Sequence, residues 1–150
     1  VSIKQFKNFD SNISGNDNLP VTVTYEKARR YCNLYGFQLP SENEWEYAAG
    51  KAKGYTYPWG NEAPDAGGIY RANFSSLIDG YSTKAPAKSF KRFSSPFGVV
   101  NMAGNVWEWI KGGNVKGGGF FSAKQYLTIN KIDSGQNHNQ EGFRCIIDEN

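Results

Sequence analysis

The sequence predicts an α+β domain with two helices near its start, long loops in the middle and short strands near its end. A chain of 150 residues is long enough for one domain with a substantial core. Seventeen glycines and 15% aromatic residues, without long runs of Ala, Leu, Glu and Lys, favour a loop-rich fold over a helical bundle. We therefore expect a single domain over residues 1–150. Because it begins at Val1 without a methionine or signal peptide, we interpret it as a mature product or a piece excised from a longer chain.

The N-terminal region is predicted to be a short helix, a loop and a strand. Residues 1–8 form an amphipathic pattern with their apolar side chains inward. The polar, glycine-containing stretch 10–18 is typical of a loop. Val21, Val23 and Tyr25 then alternate with polar residues, which indicates a short strand.

Two helices follow, and their capping residues define them. Thr24 can cap the first helix, which ends at Gly36. Ser41 and Glu44 form a capping box, in which each side chain satisfies the other residue's backbone amide, and the second helix ends near Gly50.

The second half of the chain has no long periodic segment. Residues 51–96 are rich in Gly, Pro, Ser and Asn, yet their many aromatic residues argue against disorder. Bound ions would explain how such a long loop stays ordered. Two late strands are predicted, a glycine-rich one over Asn114 to Phe121 and a closing one over Gly142 to Ile147.

The run from Asn101 to Trp109 combines large apolar residues with oxygen donors. In an extended segment, Trp107 and Trp109 lie on one face and Glu108 on the other. The sequence alone leaves two interpretations open: ordinary core, or core folded over a hard cation.

Composition excludes several classes of function. The net charge of +3 is modest and the basic residues are scattered, which argues against a nucleic-acid partner. No apolar run is long enough to insert into a membrane as a helix. Cys32 and Cys145 are too few for a cysteine-based zinc site. If paired, they would stabilise the fold by about 4–5 kcal/mol in the chain-entropy model, and two buried free thiols are the alternative.

Five separated motifs, in order along the chain, carry a family resemblance. They are Pro20–Ala49, Tyr57–Asn61, Asn101–Trp109, Lys116–Gly119 and Gly142–Cys145. Together they make the chain resemble the formylglycine-generating enzyme, or sulfatase-modifying factor, family over nearly its whole length. This resemblance implies a C-type lectin-like fold with long loops. That fold serves oxidases, iron-dependent sulfoxide synthases and non-catalytic binding proteins, so it does not settle the function.

The catalytic residues of that family are absent from the matching positions. The resemblance places Ser122 and Leu127 where two copper-binding cysteines stand, and neither side chain is a soft ligand for Cu(I). No copper is therefore expected. His138, the one histidine, does not supply the several histidines of the iron enzymes, and nothing places it as a base beside Ser122. The resemblance matches Cys32 and Cys145 to a structural disulfide, which implies an oxidising compartment or secretion.

The resemblance also implies two structural calcium sites, whose oxygen ligands are those that Ca²⁺ requires. One would use the side chains of Asn73 and Asp79 with the carbonyls of Phe74 and Tyr81. The other would use the side chains of Asn101 and Glu108 with the carbonyls of Gly104 and Val106. The alternative is that Asn73 and Asp79 are ordinary turn residues and Glu108 is solvated.

The segment between the glycine-rich strand and the final Gly-Phe-Arg is the expected ligand-binding face, as in non-catalytic relatives. It combines aromatic with adaptable polar residues, a composition typical of recognition surfaces: Phe121, Ser122, Lys124, Tyr126, Asn130, Asn137, His138 and Asn139. The alternative is that the aromatic residues are core and the asparagines ordinary surface.

These observations favour a non-catalytic, calcium-stabilised domain that binds a protein or glycan ligand. The expected setting is extracellular, at a cell surface or on a virion, as part of a surface or phage assembly, with a retroelement-diversified variable protein as one form. A divergent oxidase-like enzyme and a structural domain of a larger assembly are the alternatives.

Overall fold

The computed structural model describes residues 1–76, 78–136 and 140–147. Within them, short helices and strands alternate with long loops, which confirms the α+β class. The helices are α1 (Ile3–Phe6), α2 (Tyr25–Leu34) and α3 (Glu42–Ala49), and the strands are β1 (Phe37–Gln38), β2 (Trp107–Trp109), β3 (Asn114–Lys116), β4 (Ile132–Ser134), β5 (Glu141–Phe143) and β6 (Ile146–Ile147). No helix in the described part of the chain is long and apolar enough to cross a membrane.

The helices begin and end where their capping residues predict. The Thr24 hydroxyl accepts a hydrogen bond from the Lys27 amide at the start of α2. At the start of α3, Ser41 and Glu44 form the predicted capping box. Gly50 ends α3 with a φ of 108°, a conformation that glycine adopts without a steric penalty.

The described strands form two small sheets. The larger has the strand order β4-β3-β2-β5, in which β5 runs parallel to β2 and the other neighbours are antiparallel. The smaller pairs β1 with β6 in antiparallel register. A disulfide joins Cys32 on α2 to Cys145 between β5 and β6, so the predicted pairing is present.

Three strand predictions need correction. The alternating residues Val21 and Val23 are buried but lie in no strand, and Tyr25 already belongs to α2 because Thr24 caps the helix there. The strand predicted from Asn114 ends at Lys116, because the next two residues are glycines with φ of 94° and 75°.

The predicted closing strand over Gly142 to Ile147 is in fact two strands, β5 and β6. The break falls at Arg144 and Cys145, whose side chains bind Glu108 and Cys32. These contacts direct the chain from the larger sheet to the smaller one.

The core consists of three clusters of buried residues. The largest packs α1 and α2 against β2, β3 and β5, and the other two surround Trp45 and Phe74. The region 51–96 contains 3₁₀ turns and loops in its described residues, as the sequence predicted. Asn105 ties part of this region to the core, since its side chain bonds both the amide and the carbonyl of Ala85.

Candidate functional site

A cavity of about 340 Å³ opens beside the larger sheet, and we call it the principal cavity because predicted binding residues line it, although a cavity of about 410 Å³ elsewhere is larger. The loop 121–126 forms one side, and residues of β2, β3, β4 and β5 with their flanking segments form the others. Its walls are Trp107, Val115, Phe121, Ser122, Ala123, Tyr126, Asp133, Ser134, Gln136, Gln140 and Glu141. This volume lies at the lower end of the range usual for small-molecule sites.

Phe121 separates the principal cavity from a second hollow. Its side chain is 46% exposed, and it also lines a cavity of about 270 Å³ whose other walls are Tyr81, Phe120 and three serines. A third hollow of about 320 Å³ shares Ala123 with the first. Residues of the loop 120–126 therefore line three cavities, and the exposed ring of Phe121 lies between two of them.

The two positions at which the resemblance expects cysteines have separate environments. The Ser122 hydroxyl accepts a hydrogen bond from the Gly119 amide at 2.9 Å, and the residue lines the principal cavity. Leu127 is fully buried in the cluster around Phe74 and Ala103. Ser122 thus offers a hydroxyl that already accepts a hydrogen bond, and Leu127 offers an aliphatic side chain inside the core. Neither side chain is a soft metal ligand.

Three of the predicted binding residues meet at the principal cavity, namely Phe121, Ser122 and Tyr126. Lys124 lies outside it, where its ammonium pairs with Asp65 at 2.8 Å and lowers the pKa of that carboxyl. Asn130 is exposed and is not part of the cavity wall. Asn137, His138 and Asn139 lie outside the described residues.

Sequence reasoning missed several walls of this cavity. Trp107, interpreted as core, is 8% exposed and packs in the core, yet it also lines the cavity and meets Tyr126 edge to face. Glu141 stands directly across the parallel β2–β5 pair from Trp107. Since that pairing joins segments far apart in sequence, no local signal indicates that the two residues are neighbours.

Two carboxylates line the principal cavity, those of Asp133 and Glu141. Glu141 is 5% exposed, and its oxygens accept hydrogen bonds from the amides of Gln136 and Gln140, both at 3.2 Å. Asp133 is exposed and accepts a hydrogen bond from the Ser134 amide at 2.8 Å. The charge of the cavity wall in the described residues is therefore negative.

The first predicted set of calcium ligands contains one oxygen that is free to bind a cation. Among the described residues, the buried Asn73 Oδ1 atom has no hydrogen-bond partner, whereas its Nδ2 atom donates to Thr83 and Asn105. The Asp79 carboxylate accepts hydrogen bonds from the amides of Phe74 and Tyr81, both at 3.0 Å. Buried acceptors without a donor are uncommon, and an ion is one explanation for them.

The second predicted set has a similar unpartnered atom but a carboxylate that is already engaged. The Oδ1 atom of Asn101 is buried and has no partner in the part of the chain that the structure describes. Asn101, Val106 and Glu108 line one cavity of about 240 Å³. Glu108 accepts hydrogen bonds from Arg144 at 2.6 and 2.7 Å and from the Trp45 indole at 2.8 Å. These use three of about four acceptor positions of a carboxylate.

Glu108, the middle residue of β2, forms a close ion pair with Arg144. Burial alone would lower the pKa of Arg144, but the charge of Glu108 and the hydrogen bonds to it raise that pKa. Glu108 therefore contributes to the structure through Arg144, in contrast to the solvated alternative. In the described residues, no group of three His, Cys, Asp or Glu side chains could hold a metal ion, so a calcium site here would need amide and backbone oxygens in addition to its one carboxylate.

Comparison with known proteins places these features in a family. The family model described as the sulfatase-modifying factor enzyme 1-like domain matches residues 1–149. The formylglycine-generating enzyme of Streptomyces coelicolor is 40% identical over 109 residues, which cover 66% of this chain and 34% of that protein. The bovine inactive C-alpha-formylglycine-generating enzyme 2 is 38% identical over 94 residues, 59% of this chain and 31% of that protein. The chain thus spans about a third of the length of these curated relatives.

Two solved structures share the fold. PvdO from Pseudomonas aeruginosa superposes with a TM-score of 0.74 at 20% identity, over 89% of this chain and 63% of that one. Treponema denticola variable protein 1 superposes with a TM-score of 0.59 at 22% identity, over 73% and 46%. At these identities the likeness concerns the fold alone.

Proposed function

The chain belongs to the family of sulfatase-modifying factor enzyme 1-like domains, and from that membership we propose that it is a non-catalytic, calcium-stabilised ligand-binding domain. The observation that carries the proposal is the pair Ser122 and Leu127. A hydroxyl already bonded to the Gly119 amide and a leucine buried in the core replace the thiolates that copper chemistry would need. The family includes a relative whose name describes it as inactive, which supports this interpretation.

The proposed ligand site is the principal cavity together with the exposed ring of Phe121. Concave surface, aromatic walls and a few polar groups are typical of ligand sites. The polar residues around the rim, among them Ser134, Gln136 and Gln140, offer adaptable hydrogen bonds. We propose a protein or glycan as the ligand, and neither nucleic acid nor membrane insertion as part of the function.

Calcium is proposed as a structural ion. The two unpartnered oxygens, Asn73 Oδ1 and Asn101 Oδ1, belong to the two sets of ligands carried over from the family. An ion at the first set would be held by the side chains of Asn73 and Asp79 with the carbonyls of Phe74 and Tyr81. An ion at the second would be held by Asn101 and the remaining acceptor position of Glu108, with the carbonyls of Gly104 and Val106. Such ions would stabilise loops without taking part in a reaction.

We propose an extracellular, cell-surface or virion setting, within a surface or phage assembly. The Cys32–Cys145 disulfide supports an oxidising environment. The shared fold with a variable protein is compatible with a retroelement-diversified member.

The test is to screen the purified domain on a glycan array and against a phage-displayed peptide library. Phe121→Ala and Tyr126→Ala are compared with Tyr47→Ala, an exposed aromatic residue outside the principal cavity. We expect the first two variants to lose binding of any selected ligand while they remain folded by circular dichroism, and the third to bind normally. Tyr126→Ala should also melt somewhat lower, because the Tyr126 ring packs against Trp107 and the core. Copper binding with turnover of a cysteine-containing peptide by the wild type would instead establish the enzyme alternative.

A further inference from the structure

We infer that the principal cavity binds a cationic group of the ligand, an ammonium or a guanidinium. This inference rests on the proposed ligand site and adds the chemical class that the site accepts. It comes from the charge of the cavity wall, the burial of one carboxylate and the aromatic side chains around it.

The charge of the wall has one sign. Among the described residues, the lining carries the carboxylates of Asp133 and Glu141 and no lysine or arginine. The ion pairs found among the described residues include neither carboxylate. The principal cavity therefore holds two carboxylates that form no ion pair within the described part of the chain, although the whole chain is net positive.

Glu141 is a buried carboxylate that forms no ion pair in the described residues, which is unusual. Glutamate is rarely buried unless it is paired, because an ionised carboxylate loses favourable hydration on burial. The two backbone amides that bond Glu141 occupy two of about four acceptor positions. The remaining positions can accept from a charged donor that enters the cavity, and such charge-assisted bonds are stronger than neutral ones.

Aromatic side chains complete the environment that a cation prefers. Trp107, Tyr126 and Phe121 line the same cavity as Glu141, and the faces of aromatic rings attract ammonium and guanidinium groups. One such contact already exists at its edge, since the Lys131 ammonium lies 4.9 Å from the centre of the Tyr126 ring. Lys131 is not part of the cavity wall, so it shows that this ring accepts a cation without filling the cavity.

Size narrows the ligand group further. A cavity of about 340 Å³ suits the end of a side chain or a small amine better than a whole oligosaccharide. A neutral hydroxyl-rich group could bond the polar rim but would leave the charge of Glu141 unneutralised. The favoured ligand therefore presents a lysine-like, arginine-like or amino-sugar cation.

The test uses small probes on the intact domain at low ionic strength. Butylammonium, tetramethylammonium and propylguanidinium are compared with butanol and butyrate, their neutral and anionic counterparts, by NMR titration of the Trp107 indole signal. We expect saturable shifts from the three cations and none from butanol or butyrate. Glu141→Gln should weaken cation binding by about tenfold or more, since hydrogen bonds to charged groups contribute more than neutral ones.

Controls separate the cavity charge from the overall charge. Asp17→Asn removes an exposed carboxylate that pairs with Lys7 outside the principal cavity, and it should bind the cations as the wild type does. Asp133→Asn should cause a smaller loss than Glu141→Gln, because Asp133 is exposed and better screened. If Glu141→Gln unfolds, the wild-type comparison of cation with butanol and the Asp133→Asn result still decide the question.

Two outcomes would overturn the inference. Equal shifts from butanol and butylammonium would show that charge is not recognised, and equal cation affinity in the wild type and a folded Glu141→Gln would show that this carboxylate does not recognise it. Loss of a selected protein or glycan ligand on Phe121→Ala, with no binding of the cations, would leave the proposed function intact while this inference fails.

Discussion

Removal of calcium should lower the melting temperature of the domain, and the structure indicates by how much. The Oδ1 atoms of Asn73 and Asn101 are buried and have no hydrogen-bond partner within residues 1–76, 78–136 and 140–147. Each unsatisfied buried acceptor costs about 1–3 kcal/mol. A cation bound at each set of ligands would remove that cost.

Mass action gives an independent estimate of the effect. An ion present at a hundred times its dissociation constant stabilises the folded state by about 2.7 kcal/mol at each site. For a domain of this size, 1 kcal/mol shifts the melting temperature by about 2–4 °C. Saturation of one site should therefore raise the melting temperature by about 5–10 °C.

Differential scanning fluorimetry measures this shift in EGTA and in a calcium series, with magnesium as the ionic control. Asp79→Asn should reduce the calcium-dependent shift, since it removes the carboxylate of the first set. Asp17→Asn removes an exposed carboxylate outside both sets and should leave the shift unchanged. An identical melt in EGTA and calcium, with no calcium found by elemental analysis of the dialysed protein, would refute the reasoning.

Two further predictions concern the scaffold. Burial would raise the pKa of Glu46, but hydrogen bonds from Lys116 and Lys51 lower it below its ordinary value of 4.5, so its stabilising effect should be complete above that pH and lost as the pH falls through the lowered pKa. Glu46→Gln leaves Lys116 buried beside a neutral side chain and should lower the free energy of unfolding by about 3 kcal/mol at pH 7. In urea melts, the difference in this free energy between variant and wild type should shrink below pH 4.5. A difference that does not change with pH would contradict this prediction. Gly104→Ala should destabilise the fold strongly, since an added Cβ would lie 2.3 Å from the Asn73 carbonyl oxygen at a φ of 74°; wild-type stability in thermal melts would show that this close approach is not required.

Local signals in the sequence predicted the helices well and the strands poorly. The Ser41–Glu44 capping box and Gly50 define α3 through contacts within a few residues, which a sequence pattern can express. The strands have at most three residues, too few for an alternation to be distinguished from chance. The division of the closing strand depends on contacts of Arg144 and Cys145 with distant residues, so no local pattern predicts it.

The sequence predicted the part of the candidate site that lies in one segment, but not the part that strand pairing contributes. Phe121, Ser122 and Tyr126 lie in one segment, and the resemblance identified that segment as the binding face. Trp107 and Glu141 reach the same cavity through the parallel pairing of β2 with β5, which joins residues more than thirty positions apart in sequence. Sequence reasoning identified the segment, but only the strand register shows that the Glu141 carboxylate belongs to the same cavity wall.

Strand β2 explains how one family scaffold can hold different chemistry. The Glu108 carboxylate binds Arg144 and Trp45 and so joins β2 to the segment after β5 and to α3. Its neighbour Trp107 lines the principal cavity. Because Ser122 takes no part in the hydrogen bonds of Glu108, a change at Ser122 alters the chemistry of the cavity without touching those bonds. Family membership therefore accounts for the scaffold, and the ligand must be inferred from the residues of the cavity itself.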